Sequence, residues 1–269
     1  MEKIIKSLSL PVLLLMFAIG GGAIGMVVYL KLFSHVEHDY LKPKQMNWSF
    51  DGAFGNVDKQ SAQRGYQVYK EVCAACHGMK RVPFRALSAI GFSEAEIKTI
   101  AASYDIQDGP DSEGEMFDRP GLPSDYFVSP YANVNQARAT NGGAYPPDLS
   151  LMVKARPDGA NYLYSLLTGY EYEVPEGFKM NEGMNYNPYF HGRQIAMAAP
   201  LMDDLVTYSD NTPATVDQMS RDVVNFMQWA AAPEMEQRKR MGFKVMIYMA
   251  IFTVLFYFAK VAVWARAKQ

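Results

Sequence analysis

Residues 241–265, MGFKVMIYMAIFTVLFYFAKVAVWA, have no polar face, and Lys244 and Lys260 are their only formal charges. A surface helix of a soluble domain shows an apolar stripe and a polar one. A run of this length without that division reads as a membrane span. Its two lysines can snorkel to opposite interfaces, where Tyr257, Trp264, Arg266 and Lys268 add ordinary anchors. A second run, residues 7–30, carries no formal charge and lies between Lys3, Lys6 and Lys31. It covers ~36 Å as a helix, enough for the ~30 Å hydrocarbon layer. It exceeds the roughly 7–15 apolar residues of a secretory signal and lacks an Ala-x-Ala cleavage site. The reading is an uncleaved anchor, with a cleaved signal as its rival. Lys3, Lys6, Arg266 and Lys268 place both termini in the cytoplasm. Arg238, Lys239 and Arg240 on the outer flank oppose this, and the N-terminal helix takes precedence. The chain thus divides into 1–35, an N-terminal anchor or uncleaved signal; 36–237, an extracytoplasmic domain; and 238–269, a C-terminal anchor with a short cytoplasmic tail.

The middle part, about 200 residues, fits one domain with a full core. A hydrophobic content of 49% excludes an intrinsically disordered chain, and a formal charge of −2 excludes a dedicated nucleic-acid binder. Tyr66, Tyr69 and Val72 recur every three residues, predicting a helix over 58–72 that runs into Cys73 and Cys76. Ser93 with Glu96 and Thr215 with Gln218 have capping-box spacing and open two more helices. Asp158 is expected to cap a fourth, which Gly169 stops. No alternating strand is evident, so the domain is expected to be mainly α. Segments 105–148 and 169–200 read as long irregular stretches rich in Gly, Pro, Asn and Tyr, of the kind that wraps a bound group.

Cys73-Ala74-Ala75-Cys76-His77 is C-x-x-C-H, the attachment signature of a c-type haem. Two thiols at this spacing reach the two vinyl groups of one porphyrin as thioethers, and the next imidazole falls beneath the iron. A thioredoxin-like redox pair would need a β-α-β context. A zinc site would have to recruit His35, His38 or His191 without a second C-x-x-C. Haem attachment uses both cysteines, leaves none for a disulfide, and agrees with an extracytoplasmic domain. For the sixth iron position, His/Met ligation raises the potential as electron transfer requires. Met197 has the best context, among the small residues of Ile195-Ala196-Met197-Ala198-Ala199-Pro200. Met180, Met184, Met202 and His191 are rivals.

The segments VCAACHGMK (72–80), ARATNGGAYPPDLS (137–150), KARPDGANYLYSLLTGY (154–170), NPYFHGRQIAMAAPL (187–201) and TPATVDQMSRDVVNFMQWAAAPEMEQRKRMG (212–242) occur in this order before one anchor helix. Over about residues 48–268 the chain resembles the cytochrome c1 family. The resemblance implies a class I cytochrome c-like haem domain with long irregular insertions, plus membrane-spanning helices. It implies one covalent haem c with His77 and Met197 as axial ligands, Arg156 and Tyr162 near a propionate, and Asn141 and Pro147 lining the pocket. The implied work is one-electron transfer, from a Rieske iron–sulfur protein to a c-type cytochrome. This takes place in a dimeric bc1 complex of the bacterial inner membrane, beside cytochrome b, with the haem domain on the periplasmic side. No side chain is needed as acid, base or nucleophile. Two features depart from the family pattern: the N-terminal run stands where a cleaved targeting segment is usual, and the extra cysteine pair of some bacterial relatives is missing.

Two other functions compete. One is a membrane-anchored monohaem cytochrome of another chain, such as an oxidase subunit or tethered carrier. The other is a haem sensor, which would keep its sixth position open. Charge bears on the partner: residues 36–237 hold 27 acidic and 16 basic residues, a net of −11. Asp105, Asp108, Asp111, Glu113, Glu115 and Asp118 fall in one stretch, and Glu171, Glu173 and Glu176 in another. Such a field around a haem edge would steer a basic acceptor.

Overall fold

The computed structural model describes residues 40–267, so the run 7–30 lies outside the described residues. Helix α1 (Lys59–Glu71) starts where the Asp58 carboxylate accepts the N–H groups of Gln60 (3.0 Å) and Ser61 (3.2 Å). Its inner face, Ser61, Ala62, Gly65, Tyr66, Val68 and Tyr69, is buried against α6 (Val216–Ala231). The two backbones meet most closely at Gly65, where a β-carbon would stand 1.9 Å from the Asp222 carbonyl oxygen. Asp222 is fully buried. Its carboxylate accepts bonds from Ser61 Oγ (2.7 Å), Arg64 Nε (2.9 Å) and Nη2 (3.0 Å), and Gln218 Nε2 (3.1 Å). Arg64 also reaches Asp210 at 2.9 Å. These bonds hold its guanidinium pKa above the ordinary value against the opposing effect of burial. With every acceptor occupied, the buried charge is compensated.

The α1–α6 pair carries an aromatic cluster. The Tyr66 ring lies 5.3 Å from Phe92 and 5.7 Å from Phe226, and Phe127 lies 4.5 Å from Phe84 and 5.9 Å from Tyr69. Phe92 precedes α2 (Glu94–Ala102), whose capping box forms in full: Ser93 Oγ accepts from Glu96 N–H, and the Glu96 carboxylate accepts from Ser93 N–H. At α6 only half of the expected box is present. Thr215 caps Gln218 N–H at 3.2 Å, while the Gln218 side chain turns to Asp222.

Helices α4 (Met152–Ala155) and α5 (Gly159–Leu167) pack on the far side of α6, where the Tyr164 hydroxyl donates to the Asp217 carboxylate. Asp158 does not cap α5 through its side chain. It sits at the N-cap in left-handed backbone (φ 60°) and makes no side-chain capping bond. The segment before α1 straps over α5. Leu41 N–H donates to Pro188 O (2.7 Å), Lys44 N–H to Ser165 Oγ (2.8 Å), and Trp48 Nε1 to Asn161 Oδ1 (2.8 Å). The Lys44 ammonium donates to Thr168 Oγ1 (2.8 Å) among the rings of Tyr164, Tyr172 and Tyr189, a cation–π enclosure.

The stretches expected to be irregular contain short elements. Strands β1 (Asp105–Asp108) and β2 (Phe117–Pro120) pair antiparallel, with Asp105 opposite Pro120 and Asp108 opposite Phe117. Helix α3 (Val134–Thr140) follows, and β3 (Asn185–Tyr186) pairs with β4 (Gln194–Ile195). In β1 burial alternates, with Ile106 and Asp108 half-buried and Asp105 and Gln107 exposed, and the inner face that mixes Ile with Asp hides this alternation from the residue types. Arg119 ties the hairpin down, reaching Asp108 (2.5 Å) and Asp125 (2.6 Å).

Helix α7 (Met235–Ala267) is continuous for 33 residues, ~50 Å in length. Its first residue is buried against the domain, and from Met241 onward its side chains are exposed. It is the one helix among the described residues long and apolar enough to cross a membrane.

Because the atom facing Gly65 is backbone, Gly65→Ala can be accommodated only by separating α1 from α6. The expected loss is at least ~1–3 kcal/mol, read as a lower midpoint in thermal unfolding of the detergent-solubilised full chain. An unchanged midpoint would show that the close approach does not constrain the fold.

Candidate functional site

Helix α1 ends at Val72, whose N–H bonds Val68 O, and the chain tightens at once into the 3₁₀ turn Cys73–Ala75. The N–H groups of Cys76 (3.1 Å) and His77 (2.9 Å) both converge on Cys73 O. Two alanines between the cysteines let this turn close without side-chain crowding. The thiols are free of each other, with Cys73 half-buried and Cys76 exposed. Burial pushes the Cys73 thiol up to about 12, with the neighbouring Cys76 adding to the rise.

The His77 ring is oriented by a residue 70 positions away. Its Nδ1 lies 2.7 Å from the Pro147 carbonyl oxygen. A carbonyl only accepts, so Nδ1 carries the proton and Nε2 presents its lone pair. Burial lowers the His77 pKa, and the bond to Pro147 opposes that shift only in part. The imidazole is therefore neutral at pH 7, the form that binds a metal.

Three further bonds lock the two loops together. Leu149 N–H donates to Gly78 O (2.8 Å), Lys80 N–H to Asp148 Oδ2 (2.8 Å), and Arg81 N–H to Ser150 Oγ (3.1 Å). The other Asp148 oxygen accepts Ser150 N–H at 2.9 Å. Pro147 serves through its carbonyl. Asn141 closes α3, its amide donating to Ala137 O (2.7 Å) and to the Tyr131 hydroxyl (2.9 Å).

Met197 follows β4 and is half-buried. Its carbonyl accepts the Tyr170 hydroxyl at 3.0 Å. Burial raises the Tyr170 pKa, with Tyr162 adding to it. Burial also raises that of Tyr162, where the Arg156 guanidinium works in the opposite direction. Arg156, Tyr162, Tyr170 and Met197 are thus successive neighbours. The rivals of Met197 are exposed: Met180 at 40%, Met184 at 36%, Met202 at 64%, and His191 in a surface turn. Arg193, four residues before Met197, keeps a buried Nε without a partner among the described residues, its guanidinium lying over the Phe178 ring.

Sequence reasoning passed over Asp148, Ser150 and Tyr170. An Asp two residues before a Ser is a local turn signal that could have flagged Asp148. Nothing local marks Tyr170, whose partner is 27 residues away. No group of three or more His, Cys, Asp or Glu suited to a metal occurs among the described residues, and His35 and His38 lie outside them.

The model of the Cytochrome C1 family matches residues 48–267. The chain belongs to the cytochrome c1 family. It is 46% identical over 262 residues to a cytochrome c1 of Rhodospirillum rubrum, covering 92% of this chain and 96% of the relative. It is 48% identical over 221 residues to the mitochondrial cytochrome c1 heme protein of Saccharomyces cerevisiae, covering 82% and 72%. It is 48% identical over 245 residues to a cytochrome b/c1 of Bradyrhizobium diazoefficiens, covering 83% of this chain and 36% of that longer protein. Family members are haem-bearing electron-transfer subunits of bc1 complexes, and this chain accordingly carries one covalently attached haem c. Its residues fit the group: two unlinked thiols and a neutral imidazole with Nε2 free are the donors that covalent haem attachment needs.

Asp148→Ala removes the acceptor of Lys80 N–H, which ties the His77 loop to residues 147–150, and that of Ser150 N–H within its own loop. It is expected to cost about 1–3 kcal/mol, with Asp148→Asn retaining part of this through its amide oxygen. Guanidinium unfolding followed by haem absorbance measures both. Equal midpoints for Asp148→Ala and the parent would refute the clamp.

Proposed function

We propose that the haem is linked through Cys73 and Cys76, that His77 Nε2 and the Met197 sulfur are its axial ligands, and that Arg156 and Tyr162 stand at a propionate. Asn141 and Pro147 line its pocket. The observation that carries this reading is the Nδ1–H bond from His77 to Pro147 O, which sets the tautomer and aims Nε2 away from the loop clamp. Burial separates Met197 from its exposed rivals, and the Tyr170 bond holds its backbone in place. The bound haem supplies a one-electron ferric/ferrous couple, and the chain supplies ligands, orientation and field. No side chain is assigned as acid, base or nucleophile.

The electron comes from a Rieske iron–sulfur protein and leaves to a basic c-type cytochrome. The assembly is a dimeric bc1 complex that includes cytochrome b, and the relative named cytochrome b/c1 supports that partner. Segment 1–35 is an N-terminal anchor or uncleaved signal, 36–237 the haem domain on the periplasmic side of the bacterial inner membrane, and 238–269 the C-terminal anchor. The acidic residues support a cationic acceptor: Asp111, Glu113, Glu115 and Asp118 stand exposed at the β1–β2 hairpin, as do Glu171, Glu173 and Glu176 farther along.

Met197→Leu is expected to keep the covalent haem while losing the low-spin, high-potential state, with a fall on the order of 100 mV or more. Redox titration with optical spectra reads this, and an unchanged potential would move the ligand elsewhere. Reduction of the acceptor is expected to slow about tenfold or more as ionic strength rises from ~0.01 to ~0.15 M. A rate insensitive to salt would remove the acidic surface from acceptor docking.

A further inference from the structure

Residues 50–55 form a loop tied to the membrane helix by one side chain. The Lys239 ammonium donates to Phe50 O (2.7 Å) and Gly55 O (2.9 Å), closing both ends of the loop onto the first turns of α7. Between those ends the loop carries one charge, Asp51, whose carboxylate accepts the Trp48 N–H (3.1 Å), and the tip Gly52-Ala53-Phe54 carries none. Gly55 must be glycine, since a β-carbon there would lie 2.1 Å from Asp51 O, and Gly52 has left-handed backbone (φ +71°). The loop holds Phe54 out. At 76% exposure, Phe54 is the most exposed large apolar side chain among the described residues. Its ring meets Phe243 edge-to-face, with centroids 5.7 Å apart.

The helix supplies a depth scale. Arg238, Lys239 and Arg240 are charged, and the apolar run begins at Met241. Phe243 is four residues beyond Lys239, ~6 Å along the axis. Phe54, against Phe243, therefore lies at the first apolar level of the helix, where headgroups give way to acyl chains. An exposed Phe seats at the headgroup/acyl boundary through the apolar area it buries there. We propose that residues 52–54 are a second, monotopic membrane contact, with Phe54 seated in the bilayer interface beside α7. The haem domain then has two points of attachment, which restrain its tilt about the anchor. The inference requires that α7 cross the membrane, and it is independent of the haem ligands.

The test uses the assembled complex in phosphatidylcholine–phosphatidylglycerol vesicles. Phe54→Cys, Ala53→Cys and, as a water-exposed reference, Glu113→Cys are each labelled with a methanethiosulfonate nitroxide, and the labelled parent complex is subtracted. Continuous-wave power saturation then compares collisions with oxygen and with a nickel chelate. At positions 53 and 54 oxygen is expected to exceed the nickel chelate several-fold, with the reverse order at 113. Nickel dominance at 53 and 54 would place the loop in water. Low access of both reagents with an immobilised spectrum would show that another protein subunit covers it. Either outcome overturns the proposal; an unchanged haem spectrum shows that the haem domain is intact in each variant, and co-purification of the other subunits shows that the complex has assembled.

Discussion

The close approach of α1 and α6 at Gly65 is the constraint on which the rest of the domain depends. A helix pair this tight, with the Asp222 backbone where a side chain would stand, fixes both the separation and the direction of α1. That direction matters because the C-terminal end of α1 is also the start of the cysteine turn. Arg64, Ser61 and Gln218 converge on the buried Asp222 carboxylate, so the crossing is specified by bonds that form in one register as well as by packing. The aromatic cluster on the same pair, around Phe127 and Phe226, fills the space between the crossing and the cysteine turn.

From that base the haem-bearing segment is completed by chain far away in sequence. The four contacts between residues 77–81 and 147–150 are polar and mostly involve backbone groups. Such contacts suit a surface destined for a large apolar cofactor. They hold the loops without filling the space between them. Across the site, Tyr170 and the Lys44 enclosure do the same for the segments around Met197. The N-terminal strap, α5 and segment 169–190 are one hydrogen-bonded unit, so the loops rich in Gly, Pro and Asn are ordered by specific partners rather than by secondary structure.

Signals that act over a few residues were legible in the sequence: the spacing of Cys73, Cys76 and His77, the Asp58-to-Val72 helix, the Ser93–Glu96 box and the charge-free stretches of α7. Where a local reading failed, the side chain or backbone took a conformation that residue type and spacing do not specify. Gln218 leaves its cap for Asp222 one turn along the same helix, Asp158 adopts left-handed backbone in place of a side-chain cap, and the half-buried face of β1 pairs Ile106 with Asp108, so its residue types do not alternate.

The sequence by itself determined that this chain carries an attachment turn, several amphipathic helices and an apolar anchor, because each is a property of neighbours along the backbone. Only the tertiary structure decided which way His77 points, which carbonyl holds it, and which methionine is sheltered. It alone placed Phe54 against Phe243 at the base of the anchor. Those facts rest on pairs separated by tens to nearly two hundred positions. Such pairs meet only after the helices have packed, and no local pattern of residue types encodes them.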